Sequence, residues 1–139
     1  TAKPDRIDLL HDGRVLIYDY KSGKPPSAPE MRAFDKQLLL EAAMVERGAF
    51  EVLGPRAVAA YSYIQLGGDG TETRYECDPD LIAETWTGLH RLVAAYLRAE
   101  TGFASRRSVQ KADERGDYDH LARFGEWEMT DEPVPEDVG

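Results

Sequence analysis

A single cysteine, Cys77, is present among 139 residues, which excludes an internal disulfide and a four-cysteine metal site. Histidine is nearly as scarce. His90 has no acid or cysteine at ligand spacing, and Asp117-Tyr118-Asp119-His120 runs into Leu121, Phe124 and Trp127, which read as anchors of a short helix rather than as a metal cluster. No apolar run is long enough to span a membrane and no signal-peptide pattern occurs, so a soluble, cytoplasmic protein with no membrane partner is expected. Positive charge is also short: 17 Lys and Arg against 26 Asp and Glu leave a net charge of −9. That excludes a broad electrostatic footprint for nucleic acid on this segment by itself. The glycine and Lys-Ser/Thr spacing of a phosphate-binding loop is missing, which makes Ser22-Gly23-Lys24 a strand exit.

What is present is concentrated between Asp5 and Lys21. Two apolar-rich runs flank Asp12-Gly13, a strong hairpin signal. A two-residue loop there predicts that His11 pairs with Arg14, Leu10 with Val15 and Asp8 with Ile17. On that register Asp8, Asp19 and Lys21 share one face, while Ile7, Leu9, Leu16, Tyr18 and Tyr20 take the other. Asp8 and Asp19 become diagonal neighbours roughly 7–8 Å apart at the backbone. Aliphatic residues on both faces predict a sheet covered on both sides, so the acids are partly desolvated. Burying such a pair uncompensated costs on the order of several kcal/mol, which asks for a cation or a proton. Oxygen ligands with no His or Cys cluster favour Mg²⁺ or Mn²⁺ over zinc. A metal so held activates water and neutralises a phosphoryl group, with Lys21 beside it to orient that water, and the chemistry implied is phosphodiester hydrolysis.

Downstream, Ser27 and Glu30 form a capping box that predicts a helix from about Ala28 to Arg47, with Met31, Phe34, Leu38, Ala42 and Val45 as its buried stripe. Gln37 and Glu41 lie one turn apart beside that stripe, and Glu41 reads as a solvated helix acid. Ala57 to Leu66 reads as a buried central strand, and Thr71 to Glu76 as a polar edge strand. Asp78-Pro79 opens a second helix, to about Thr101, with Ile82, Trp86, Leu89, Val93 and Tyr96 as its core stripe. Arg106-Arg107 is a small basic patch, and from about Glu128 the chain is acidic and aperiodic. The expected architecture is α/β: a mixed central sheet of about four strands flanked by helices over residues 1–127, then a flexible tail over 128–139.

A lone D-x-K carries almost no information. Asp8 on one strand, Asp19-Tyr20-Lys21 on the next and Gln37 on the following helix together resemble the PD-(D/E)XK nuclease core of the RecB family. Within it, Asp5-Arg6-Ile7-Asp8, Asp19-Tyr20-Lys21-Ser22-Gly23-Lys24 and Phe34-Asp35-Lys36-Gln37-Leu38 look most like the AddB-type subunits of AddAB helicase–nucleases. The resemblance implies a restriction-endonuclease-like fold and a Mg²⁺- or Mn²⁺-dependent DNA exonuclease acting in double-strand break repair, with DNA and an AddA-like subunit as partners. It assigns Asp8, Asp19 and the backbone carbonyl of Tyr20 as metal ligands, Lys21 as the catalytic lysine and Gln37 as the motif glutamine. Many such domains hold an iron–sulfur cluster, which one cysteine cannot supply, so a cluster-less branch is implied. Many also have a tyrosine where Glu41 stands, and a helix before the hairpin. The chain is therefore expected to be a fragment lacking that upstream helix, its basic surface supplied by the rest of a larger chain. The alternative is a nuclease-like scaffold without turnover, serving as a structural or subunit-docking module.

Overall fold

The hairpin turns on three residues rather than two. In the computed structural model of the chain, Gly13 N–H donates to Leu10 O at 3.0 Å and Leu10 N–H to Arg14 O at 2.8 Å, enclosing His11, Asp12 and Gly13. Gly13 has φ +85°, the left-handed conformation that follows a type I turn in three-residue hairpins and that only glycine enters freely. Asp12 Oδ1 accepts from Arg14 N–H at 3.0 Å and holds the loop closed. The extra loop residue shifts the pairing by one, so Arg6 faces Tyr18, Ile7 faces Ile17, Asp8 faces Leu16 and Leu9 faces Val15. A slip of one residue sends every side chain to the opposite face. The expected Asp8–Ile17 pairing is thereby corrected, and Asp8 leaves the face that carries Asp19 and Lys21.

The structure describes residues 2–68, 70–102, 119–121, 123, 125–128 and 130–132. The chain divides into two compact units, Thr1–His90 and Arg91–Gly139. In the first, strands β1 (Arg6–Leu9), β2 (Val15–Lys21), β3 (Val58–Gln65) and β4 (Glu72–Glu76) form one sheet in the order β1-β2-β3-β4. β2 and β3 are parallel, and both outer pairs are antiparallel. The parallel pair requires a crossover, which helices α1 (Ala28–Ala33) and α2 (Gln37–Glu46) supply. The mixed four-stranded sheet with flanking helices is the expected fold class.

One face of the sheet makes the core. Val15, Ile17, Tyr61 and Tyr63 meet Leu38, Leu39, Ala42, Ala43 and Val45 of α2, with Met31 and Ile82 closing the cluster. The other face carries Arg6 and Asp8 as an ion pair, with Tyr18 and Tyr20 half-buried. The expectation of a sheet covered on both sides is met only in part among the described residues, since Leu16, Tyr18 and Tyr20 on this face are half-buried. Where the aliphatic count misleads is β3, whose position between two strands buries Ala60 and Ser62 on the less covered face.

Two helices stand where one was expected from Ala28 to Arg47. The capping box forms, with Glu30 Oε2 accepting from Ser27 N–H at 2.8 Å and Ser27 Oγ at 2.7 Å. The helix then stops. Phe34 N–H and Asp35 N–H both donate to Glu30 O, and the Lys36 ammonium donates to the carbonyl of Arg32. The Phe34 bond is the last i→i−4 link, the Asp35 and Lys36 bonds take groups that a continuous helix would pair otherwise, and no proline or glycine marks the break. The new phase leaves Phe34 exposed and turns Glu41 inward beside Leu38 and Ala42.

The helix α3 (Pro79–Tyr96) starts as read, with Asp78 Oδ1 accepting from Asp80 and Leu81 N–H at 3.1 and 3.2 Å. It ends five residues before Thr101, and of its expected stripe only Ile82 is fully buried; Val93 is half-exposed. Described residues of 119–132 form turns and bends rather than the short helix expected. Phe124, Arg106, Arg107, 111–116 and most of the acidic tail lie outside the described residues. No described helix is long and apolar enough to cross a membrane.

The hairpin loop can be tested directly. A Cβ at Gly13 would meet only Arg56 Nη1, at 3.8 Å, so space is not limiting and the positive φ is. Gly13→Ala should lower stability by about 1 kcal/mol in urea unfolding, and an unchanged midpoint would contradict the three-residue loop.

Candidate active site

The parallel pairing of β2 with β3 places Asp19 opposite Tyr63 and Lys21 opposite Gln65 at the C-terminal ends of both strands. The break before α2 makes Gln37 the first residue of that helix, so its side chain reaches back to β2. Gln37 Nε2 donates to Asp19 Oδ1 at 2.8 Å and to Glu41 Oε1 at 3.3 Å. Lys21 Nζ lies 3.0 Å from Asp19 Oδ2 and 3.5 Å from Gln37 Oε1. Asp19, Lys21 and Gln37 therefore form one cluster, joined by Glu41 from the same helical turn.

Asp19 and Glu41 are each only 4% exposed. Their second oxygens, Asp19 Oδ2 and Glu41 Oε2, are buried and accept no hydrogen bond. Lys21 faces Asp19 Oδ2 as an ion pair without hydrogen-bond alignment. Burial raises the Glu41 carboxyl above its usual range; donation from Gln37 opposes this, and the charges of Asp19 and Asp5 add to it. Tyr63 completes the wall. Its ring lies 5.6 Å from Lys21 Nζ, its hydroxyl has no hydrogen-bond partner, and burial pushes the phenol well above its ordinary value.

Asp8 is not in this cluster. It makes a two-point pair with Arg6, Nε to Oδ1 at 2.8 Å and Nη2 to Oδ2 at 2.6 Å, and Arg6 holds its carboxyl below the usual range. The acid that shares a face with Asp19 is Asp5, one step past the Arg6–Tyr18 pair on the observed register. Asp5 Oδ2 accepts from Tyr20 N–H at 3.0 Å, and its charge reaches Glu41. The N–H and C=O of a strand residue point to the same side, so the Tyr20 carbonyl is directed to the edge that Asp5 occupies. Asp5, Glu41 and Tyr63 lie outside the expected set. Reading Gly13 as the left-handed residue of a three-residue loop recovers Asp5, and Glu41 was already visible one turn from Gln37.

Among the described residues no group of three or more acids, histidines or cysteines is drawn together as a ready metal site. The donor set nevertheless fits a hard divalent cation. Two buried carboxylate oxygens without donors, and acids outnumbering the single nearby ammonium, are the features that such an ion relieves.

A mixed sheet with D-x-K ending its inner parallel strand, and a crossover helix that returns a glutamine to that acid, is the core of a nuclease fold. A family model for the PD-(D/E)XK nuclease superfamily matches residues 1–125. The chain belongs to that superfamily. No curated protein sequence matches it.

Among the described residues, the Gln37 amide is the hydrogen-bond donor that both carboxylates share. Gln37→Leu should cost about 1–3 kcal/mol in urea unfolding with chelator present, the penalty for leaving buried acceptors unsatisfied. A loss near zero would mean that the amide bridge is not formed in solution.

Proposed function

We propose that the chain is a Mg²⁺- or Mn²⁺-dependent deoxyribonuclease domain of an AddB-type subunit, acting as an exonuclease on broken duplex ends during recombinational repair. The observation that carries the hydrolytic reading is the buried, donor-free Oδ2 of Asp19, with Lys21 3.0 Å away and Asp5 on the same face. Support for the AddB-type assignment comes from the segments at Asp5–Asp8, Asp19–Lys24 and Phe34–Leu38.

In this reading Asp19, Asp5 and the backbone carbonyl of Tyr20 hold the cation, and Asp5 takes the place expected of Asp8. Bound there, the ion supplies Lewis acidity toward a phosphodiester oxygen and neutralises its charge. Gln37 occupies Asp19 Oδ1 and so keeps Oδ2 as the oxygen left for ligation. Lys21 has its ammonium at the same oxygen and against the Tyr63 ring, where it can orient the attacking water and offset charge building on the phosphate. The negative charge of −9 leaves DNA affinity to be supplied by the rest of a larger chain and by an AddA-like partner in the cytoplasm.

Linear duplex DNA with Mg²⁺ or Mn²⁺ tests this reading. Asp19→Ala, Lys21→Ala and Asp5→Ala should each lower the cleavage rate by about 10²–10³-fold, and Asp8→Ala should leave it unchanged. Loss of cleavage with Asp8→Ala alone would reinstate the expected register. Absence of both cleavage and metal binding in the unaltered chain would favour the scaffold.

A further inference from the structure

Glu41 is a buried acid with no cation of its own. One amide hydrogen-bond donor, Gln37 Nε2, is shared between it and Asp19, and the nearest ammonium, Lys21, is engaged at Asp19. Its Oε2 is buried and accepts nothing. A helix acid placed for solubility points outward, whereas Glu41 is 4% exposed and takes a single hydrogen bond, at 3.3 Å, on one of its two oxygens.

The same half-satisfied pattern recurs across the cluster. Gln37 takes one oxygen of each carboxylate, Asp19 Oδ1 and Glu41 Oε1, while the second oxygen of each, Oδ2 and Oε2, is buried and without a hydrogen bond. The charges of Asp19 and Asp5 both act on Glu41, and that of Lys21 opposes them. Hard divalent cations select anionic oxygen donors of this kind, and affinity rises with the number of charged ligands.

We propose that Glu41 is a further carboxylate ligand of the divalent cation, reaching it from α2 through Oε2 while Asp19 reaches it from β2 through Oδ2. The assignment rests on the metal-dependent reading above and adds to it a ligand from the crossover helix. Gln37 is then a positioning residue for both ligands at once, since its amide bonds one oxygen of each acid and leaves the other without a hydrogen bond.

Calorimetric titration of MnCl₂ into the 139-residue chain separates the two readings. The unaltered chain should bind Mn²⁺, Asp19→Asn should abolish the heat, and Glu41→Gln should raise Kd by on the order of tenfold or more. Mn²⁺ should also raise the melting temperature of the unaltered chain more than that of Glu41→Gln at the same concentration. In chelator, Glu41→Gln should melt no lower than the unaltered chain, because the isosteric amide removes a buried charge that has no counter-ion. An unchanged Kd in Glu41→Gln would overturn the proposal and leave the Asp19-centred site standing. A lower melting temperature in chelator would also overturn it, marking Glu41 as a structural acceptor. No binding by the unaltered chain would overturn both readings.

Discussion

The side-chain amide of Gln37 joins the sheet to its crossover helix at the point where charge is concentrated. One nitrogen donates to a strand carboxylate and to a helix carboxylate, at 2.8 and 3.3 Å. Two buried acids a few ångströms apart repel, and each loses solvation on burial. A neutral amide cannot cancel that charge; it can only hold the two groups in a fixed relation. What remains uncancelled is the basis of the site. The core beside it is built from apolar and aromatic side chains, Ile17, Leu38, Ala42, Tyr61 and Tyr63 among others.

The geometry of the cluster depends on two local events in the backbone. The three-residue loop ending at Gly13 sets the register of β1 on β2, and so decides that Asp5 rather than Asp8 lies with Asp19. The break at Phe34 to Lys36 starts α2 at Gln37 and turns Glu41 inward. Neither event lies in the cluster itself. Each moves a carboxylate across a boundary, from one sheet face to the other or from solvent to core, and the charge balance near Lys21 follows from both.

Much of this was legible in the sequence, and the failures share a cause. β3 and β4, the capping box at Ser27 and the start of α3 at Asp78 rest on local chemistry, so they could be read residue by residue. Asp19, Lys21 and Gln37 were found because their spacing survives small errors in element boundaries. The choice between Asp8 and Asp5 has no such tolerance, because a parity argument inverts with one extra loop residue, and Asp-Gly is compatible with either loop length. The helix break has no proline or glycine to announce it; it appears only once Glu30 O accepts two donors and the Lys36 ammonium takes the Arg32 carbonyl. Reading a single helix kept Phe34 in the stripe and left Glu41 beside it. The second half of α3 was misread for the opposite reason: its helical period is real, yet Val93 of the expected stripe is half-exposed, since periodicity reports a face and not what covers it.

The parallel pair at the centre of the sheet explains why the charges gather where they do. In an open sheet, side chains at the carboxyl ends of parallel strands project beyond the last ladder bonds, where a crossover helix can begin close by. Asp19 and Lys21 occupy that end of β2, and the last ladder contact beyond them is Leu66 N–H to Lys21 O at 2.8 Å. Further in, at Val15 or Ile17, the same face is sealed by α2, and an acid there would have no room for a counter-ion. Further out, past Ser22, the strand has ended and an acid would be solvated and unfocused. Between those limits a carboxylate is buried yet still within reach of the strand-end ammonium, and Asp19 and Glu41 hold such positions from two different elements.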